Sequence, residues 1–216
     1  MVRHSSQDAL TDSQFEDLFD AAKGLRSPFD AEACFILICG GRLGMRAGEI
    51  AHVKEHWIDW DKNLLEIPRH EPCDCGYCKK QAVQATEHNP ELCIDIAMHE
   101  RWNPKTPTSA RAIPFDFNPR VESVVKCFFD EFDEYPHSRV SINRRVNRVA
   151  ENAGVPKDAI YPHALRATAA TWHAYKGLTA APLQSMMGWR QITTAQKYIR
   201  LSGGATADAL RDVHSD

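Results

Sequence analysis

The side chains of this sequence that could do chemistry are two arginines, a lysine, a histidine, a tryptophan and a tyrosine. The set is Arg46, Lys105, His163, Arg166, Trp189 and Tyr198. His163 and Arg166 are three residues apart, so they share one face of a predicted helix. Guanidinium and ammonium groups bind phosphate oxygens, and an activated phenol can attack phosphorus. The set therefore suits the binding and cleavage of one phosphodiester.

Helices are predicted ahead of the first strands. A capped amphipathic helix over residues 14–22 is followed by Gly24. Pro28 opens a second helix, which is apolar on nearly every side from Ala31 to Cys39 and should therefore be buried at the centre of the fold. A short helix is expected to begin near Arg46.

Three short strands are predicted in the middle of the chain. Residues 57–60 and 64–67 form a hairpin through the turn at 61–63, and residues 110–115 form the third strand. The segment from Pro68 to Ser109 lies between the second and third strands as a long insertion. Connections of this length are uncommon in compact domains and are usually functional.

The rest of the chain is predicted to be helical, which gives an α+β fold with helix dominant. We interpret residues 1–216 as a single domain. The predicted helices cover residues 121–132, 141–153, 162–175, 181–187, 193–199 and 206–214.

Composition indicates an ordinary globular protein of 216 residues, with 43% hydrophobic and 25% charged residues. The longest apolar stretch, Ala33 to Gly41, is about half of what a membrane span needs, and no signal peptide is recognisable. We therefore predict a cytoplasmic protein without a membrane partner. The net charge of −3 does not favour nucleic-acid binding, but local basic faces can. The candidate DNA-contacting residues are Arg139, Arg144, Arg145, Arg148, Lys197 and Arg200.

Four of the seven cysteines cluster in the insertion, at Cys73, Cys75, Cys78 and Cys93. Four thiolates suit a closed structural zinc site. The Cys-x-Cys spacing strains a tetrahedral site, and a histidine could replace one thiolate; the candidates are His70, His88 and His99. The alternative is a flexible insertion with free thiols.

The order of several motifs resembles the tyrosine recombinase/integrase family. The motifs are Gly-x-Arg-x-x-Glu at Gly44 to Glu49, Lys105 ahead of a strand, His-x-Leu-Arg at His163 to Arg166, Gly188-Trp189, and Tyr198 nine residues after Trp189. The resemblance runs from about Leu10 to Arg200 and implies the family's catalytic-domain fold with a small three-stranded antiparallel sheet. Many members carry a second His where this chain has Ala167, and Gly-His where it has Gly-Trp. The Cys-containing insertion is atypical and is similar to archaeal integrase-like proteins.

The resemblance also implies a role for each residue. Arg46 and Arg166 would bind the scissile phosphate, and Tyr198 would attack it to form a 3′-phosphotyrosine. Lys105 would protonate the leaving 5′-oxygen, while His163 would assist proton transfer at the phenol. Trp189 would donate its indole N–H to a phosphate oxygen, and Glu49 would orient the cations. No cofactor is needed for catalysis.

The implied function is site-specific recombination of double-stranded DNA, as in integration by a mobile genetic element. Family members form homo-oligomers, and the tail at 201–216 either docks on a neighbouring subunit of a tetramer or packs on its own domain. Because only about ten residues precede the first helix, we expect the family's N-terminal core-binding domain to be absent. The alternatives are relaxation of DNA by a type IB topoisomerase-like activity and a non-catalytic DNA-binding regulator.

Overall fold

The computed structural model describes residues 8–156 and 160–214, so the last two residues of the predicted tail lie outside it. The helices are α1 (Asp12–Lys23), α2 (Phe29–Gly41), α3 (Ala47–Ile50), α4 (Gly76–His88), α5 (Ile94–His99), α6 (Pro119–Glu131), α7 (Arg139–Asn152), α8 (Pro162–Tyr175), α9 (Ala180–Met187), α10 (Ile192–Ser202) and α11 (Gly204–Val213). The strands are β1 (Ile58–Asp59), β2 (Leu64–Ile67) and β3 (Arg111–Pro114). The predicted class, α+β and mainly helical, is confirmed.

Helix α2 is the centre of the core, as its sequence predicted. Every residue from Glu32 to Gly41 is buried, and α1, α6, α7 and α8 all pack against it. Phe35 stacks on Phe128 of α6 with ring centroids 3.7 Å apart. A helix with no polar face can be stable only if neighbours cover it on all sides.

Helix α1 begins at Asp12, two residues before the predicted start, and its first turn is capped from both sides. The Thr11 side chain accepts a hydrogen bond from the Gln14 amide at 3.2 Å, and the Gln14 side chain accepts one from the Thr11 amide at 2.9 Å. This reciprocal pair satisfies two amides that the helix leaves without partners. The helix ends at Gly24.

The sheet is antiparallel with the order β1–β2–β3. Leu65 pairs with Ile58 on one side and with Ile113 on the other. These three apolar side chains therefore share the buried face of the sheet. The hairpin turn is closed by Asn63, whose φ of 52° is one that asparagine tolerates.

The insertion between β2 and β3 contains two helices that we did not predict, α4 and α5. Within α4, only Cys78 and Ala82 are buried. Hydrophobic periodicity cannot reveal a helix with so narrow an apolar face. The two helices pack on each other, which makes the insertion an ordered unit.

Within residues 8–156 and 160–214, no helix is both long enough and apolar enough to cross a membrane.

Candidate active site and metal cluster

Five of the six predicted catalytic residues line one cavity of about 810 Å³. They are Arg46, Lys105, His163, Arg166 and Trp189. They come from α3, the end of the insertion, α8 and the turn after α9. The structure therefore brings together cationic, imidazole and indole groups that lie up to 143 residues apart in sequence, from Arg46 to Trp189.

The sixth residue, Tyr198, lies on α10 directly behind the cavity wall. Its ring stacks on Trp189 with centroids 5.1 Å apart and planes 14° apart. The tyrosine is 7% exposed, whereas Lys197 and Arg200 on the same helix are exposed. The phenol ring thus packs against Trp189, which itself lines the cavity with the arginines.

Arg46 is held at the cavity edge by three acceptors. As the residue that precedes α3, it donates to Glu49 Oε1 at 2.7 Å, to Ser109 Oγ at 2.9 Å and to the Gly188 carbonyl at 3.3 Å. These bonds connect α3 with the turn before β3 and with the end of α9. Its side chain is 23% exposed, so it is positioned and still accessible from the cavity.

Glu49 is shared with a second arginine that sequence reasoning missed. Arg111 donates to both carboxylate oxygens of Glu49, at 3.1 and 3.0 Å, and also to the Met186 carbonyl at 2.5 Å. Burial alone would raise the pKa of Glu49, but Arg111, Arg166 and Arg46 outweigh it and lower that pKa below the ordinary value. Glu49 is therefore a buried carboxylate held ionised by three cations.

A sequence signal for Arg111 did exist. Alternate residues of a strand share one face, and Arg111 alternates with Ile113, which is fully buried. A charged residue at an inward position needs a buried partner, and Glu49 is the acidic residue of the Gly44 to Glu49 motif.

Arg166 lies deeper, 4% exposed on α8. It donates to the carbonyls of Gly44 and Met187. Burial and the nearby charge of Arg46 lower the pKa of Arg166 to about 9, against the attraction of Glu49. The guanidinium is consequently charged at neutral pH. A negative charge on Tyr198 raises the pKa of Arg166, which opposes the effect of burial.

His163 opens α8 at the cavity. Partial burial lowers its pKa below the ordinary value, and Arg166 lowers it further. Asp8 opposes this effect, while Lys105 and Arg46 make smaller contributions in the lowering direction. The imidazole is therefore neutral at pH 7, which is the form that can accept a proton.

We expect His163 to titrate below its ordinary value of 6.5. Because the folded protein favours the neutral ring, this group's contribution to stability is fully present above the unfolded pKa and is lost as pH falls through the folded pKa. Histidine C–H resonances followed by NMR from pH 8 to 4 measure the midpoint, with His163→Gln identifying the signal. A midpoint above 6.5 would contradict the expectation.

Gly188 sets the distance between two parts of the site. Its φ is +59°, and a Cβ there would lie 3.0 Å from the Thr108 carbonyl oxygen and 3.1 Å from Ser109 Cα. Glycine is therefore required both for the left-handed backbone and for the close approach. The turn after α9 and the turn before β3 meet backbone to backbone at this point.

The predicted DNA-contacting arginines of α7 are not equivalent. Arg139, Arg144 and Arg148 are exposed, and Arg139 also lines the cavity. Arg145 is instead committed to the protein interior, where its Nε donates to Glu32 at 2.9 Å. Its guanidinium also lies over the Phe29 ring at 3.8 Å. Arg145 therefore has a structural role as a counter-charge to the buried Glu32, and its contact with DNA stays a prediction.

The described residues contain one group that could hold a metal ion, and it differs from the predicted ligand set. Cys73, Cys75 and Cys78 converge with His52, and the four ligand atoms lie within 4.8 Å of one another. Cys93, the fourth predicted ligand, is exposed and precedes α5, outside this group. The ligand set is corrected accordingly.

The three histidines considered as substitutes also lie outside the group. His70 Nε2 lies 2.8 Å from the His99 carbonyl, and His88 Nδ1 lies 2.7 Å from the Gln84 carbonyl. His52 was missed because it precedes the insertion and follows α3. Only the fold brings it to the cysteines.

The family model described as "Phage integrase family" matches residues 8–203. A comparison of the sequence with curated proteins finds no match.

Solved structures with a similar fold include two recombinases and a transposon integrase. The structure of XerA recombinase has a TM-score of 0.63 at 16% identity and covers 95% of this chain. A Tn1549 transposon integrase in complex with transposon right end DNA has a TM-score of 0.65 at 18% identity and covers 96%. A post-cleavage complex of XerH site-specific recombinase bound to palindromic difH substrate has a TM-score of 0.60 at 14% identity and covers 94% of this chain. This chain spans 63%, 66% and 52% of the length of those chains, respectively.

Proposed function

The chain belongs to the phage integrase family, and we propose that it is a site-specific DNA recombinase that cleaves and rejoins strands through Tyr198. One observation carries the proposal. The two arginines, the lysine and the histidine line one cavity, and the tyrosine is stacked against its wall. Packing of the fold alone does not require these residues, which are far apart in sequence, to meet beside one tyrosine.

The cleavage step uses these groups as follows. Tyr198 Oη attacks the scissile phosphorus and gives its proton to neutral His163. The bond from phosphorus to the 5′-oxygen breaks, and this oxygen takes a proton from Lys105. A 3′-phosphotyrosine and a free 5′-hydroxyl result, and attack by a second 5′-hydroxyl reverses the sequence to join strands. Proton transfers of this kind each contribute about 10²–10⁴ in rate.

The arginines stabilise the charge that develops on the non-bridging oxygens. A guanidinium has five N–H donors, so Arg166 keeps donors beyond the two bonds to backbone carbonyls. Arg46 is fixed by Glu49, Ser109 and Gly188, which means that little reorganisation is needed when phosphate arrives. Trp189 would add its indole N–H to the same phosphate.

Double-stranded DNA is the proposed partner, and the structural neighbours caught on DNA support it. The exposed cations Arg139, Arg144 and Arg148 of α7 and Lys197 and Arg200 of α10 would bind backbone phosphates, which positions the duplex without reading its sequence.

Two neighbouring arginines of α7 are expected to behave differently. Arg144→Ala should reduce the slope of log K against log salt by about 1 and leave stability unchanged. Arg145→Ala should leave the slope unchanged and lower the free energy of unfolding by about 1–3 kcal/mol, because Glu32 stays buried with a missing partner. DNA-binding titrations at several salt concentrations and urea denaturation separate the two. A reduced slope for Arg145→Ala at full stability would contradict its structural role.

We further propose that the His52/Cys cluster holds a structural zinc ion and that strand transfer uses no metal. Cys₃His is a common ligand set of closed zinc sites. For assembly, we propose a homotetramer on DNA, supported by exposed apolar residues at the tail. Leu201, Leu210 and Val213 are 67%, 55% and 77% exposed, a pattern that suits docking on a neighbouring subunit.

A nicked suicide half-site tests the proposal. The expected result is a covalent protein–DNA band on a denaturing gel, mapped by peptide mass spectrometry to Tyr198. Relaxation of any supercoiled plasmid without sequence preference would favour the topoisomerase reading. DNA binding with no covalent band on any substrate would favour the regulator and overturn the proposal.

A further inference from the structure

The metal cluster lies at the junction between two parts of the active site. His52 follows α3, which contains Glu49 and is preceded by Arg46. The three cysteines lie near the start of the insertion, and Lys105 lies near its end. A bound ion would therefore join the arginine's helix to the segment that leads to the lysine.

The geometry suits a tetrahedral site. His52 Nε2 lies 3.6 Å from Cys75 Sγ and 3.5 Å from Cys78 Sγ. With the usual zinc–ligand bond lengths, ligand atoms of a tetrahedral site are about 3.5–3.8 Å apart. The other ring nitrogen, Nδ1, lies 2.7 Å from the Gly48 carbonyl. Metal-binding histidines typically donate their second N–H to such an acceptor.

The cysteine segment is paired with the segment that leads to Lys105. The Cys73 amide donates to the Arg101 carbonyl at 3.0 Å, and the Glu71 amide donates to the Trp102 carbonyl at 2.9 Å. The Trp102 ring stacks on His52 with centroids 4.9 Å apart. Lys105 follows three residues later, so one ligand ring directly supports the chain just before the lysine.

The turn that contains Lys105 is held at its other end by Arg46. Ser109 Oγ accepts from Arg46 at 2.9 Å and lies 2.8 Å from Thr106 Oγ1. Lys105 itself is exposed. Its position therefore depends on the two ends of the turn, one at Trp102 and His52 and the other at Ser109.

We propose that a zinc ion bound by His52, Cys73, Cys75 and Cys78 positions Lys105 for protonation of the leaving 5′-oxygen. The ion makes no contact with DNA, so Lys105 is the catalytic residue and the four ligands are positioning residues. This inference rests on the proposed recombinase function.

The test compares two suicide substrates in single-turnover cleavage. One has the ordinary 5′-oxygen, and the other has a bridging sulfur that leaves as a thiolate without needing a proton. Zinc is first measured in the purified protein, where about one ion per chain is expected. Metal is then removed from the wild type by a chelator and restored, and circular dichroism checks the fold in each state. Cys75→Ser provides a second route to metal loss, and exposed Cys127→Ser is the matched control that keeps zinc and both rates.

Loss of metal should slow cleavage of ordinary DNA by about 10²-fold or more, which is the range for general acid catalysis. It should leave cleavage of the sulfur substrate near the zinc-bound rate. Restoring zinc should restore the ordinary rate. A folded metal-free protein that cleaves both substrates at full speed, or both equally slowly, would overturn the inference, as would the absence of stoichiometric zinc from the purified wild type.

Hydrogen exchange distinguishes this inference from the function on which it rests. If zinc holds the turn, amides of residues 101–106 should exchange faster after metal removal, whether or not the protein cleaves DNA. If zinc-bound wild type cleaves neither substrate, the proposed function fails. If it cleaves DNA but exchange in this segment does not change on metal removal, the positioning role alone fails.

Discussion

Tyr198→Phe is expected to remove the covalent DNA adduct completely while leaving DNA affinity unchanged. The change deletes one oxygen atom, and that atom is the proposed nucleophile. The aromatic ring that stacks on Trp189 stays in place, so the cavity and the fold are retained. The measurement is adduct formation on a suicide half-site beside a binding titration of the same DNA.

Tyr175→Phe is the matched control for this change. Tyr175 is the last residue of α8 and is 49% exposed. Loss of its hydroxyl should therefore change neither adduct formation nor DNA affinity. An adduct of normal yield from Tyr198→Phe would assign the nucleophile to another residue and would end the proposed mechanism.

Arg111→Met is expected to lower the free energy of unfolding by about 3–5 kcal/mol, because it removes two hydrogen bonds to the buried Glu49 carboxylate, each worth about 1.5–3 kcal/mol, and leaves Arg46 as the remaining arginine bonded to that charge. The Arg111 and Glu49 side chains are 4% and 2% exposed. Methionine fills similar space, so the loss reports charge and hydrogen bonding more than packing. Urea denaturation in the presence of excess zinc measures the change.

The exposed pair between Arg120 and Glu16 provides the comparison. Its side chains are 48% and 44% exposed, and pairs of this kind contribute about 0–1 kcal/mol. Arg120→Ala should therefore be close to wild type. Equal, small losses for both variants would show that Glu49 is stabilised without Arg111.

The sequence predicted those elements whose residues carry a strong periodic pattern. Helix α8 matches its predicted bounds, and the apolar run of α2 correctly placed that helix at the centre. Helix α4 was missed because its contact with the protein is limited to two buried residues. Its stability comes from tertiary contacts, which no local pattern records.

The proposed catalytic set could be picked out because it consists of short motifs in a fixed order, and the structure places five of its members at one cavity. The residues that support it are harder to predict. Arg111 has only the weak signal of its inward position in a strand, and its partner Glu49 is known only from the fold. His52 becomes significant only through the cysteines that lie beside it in space.

The same reason explains why the sequence did not reveal the pairing of Arg145 with Glu32. On a helical wheel Arg145 resembles its exposed neighbour Arg144, and nothing local distinguishes the two. The difference is the buried Glu32 on α2, which lies far away in sequence.

The contact at Gly188 has a consequence for the distance between the proposed catalytic groups. The proposed nucleophile and the proposed acid belong to separate segments. These segments meet where a Cβ at residue 188 would lie 3.0 Å from the Thr108 carbonyl oxygen and 3.1 Å from Ser109 Cα. A close backbone contact therefore determines how near the two segments come to each other, and changes in outlying loops would leave this contact in place.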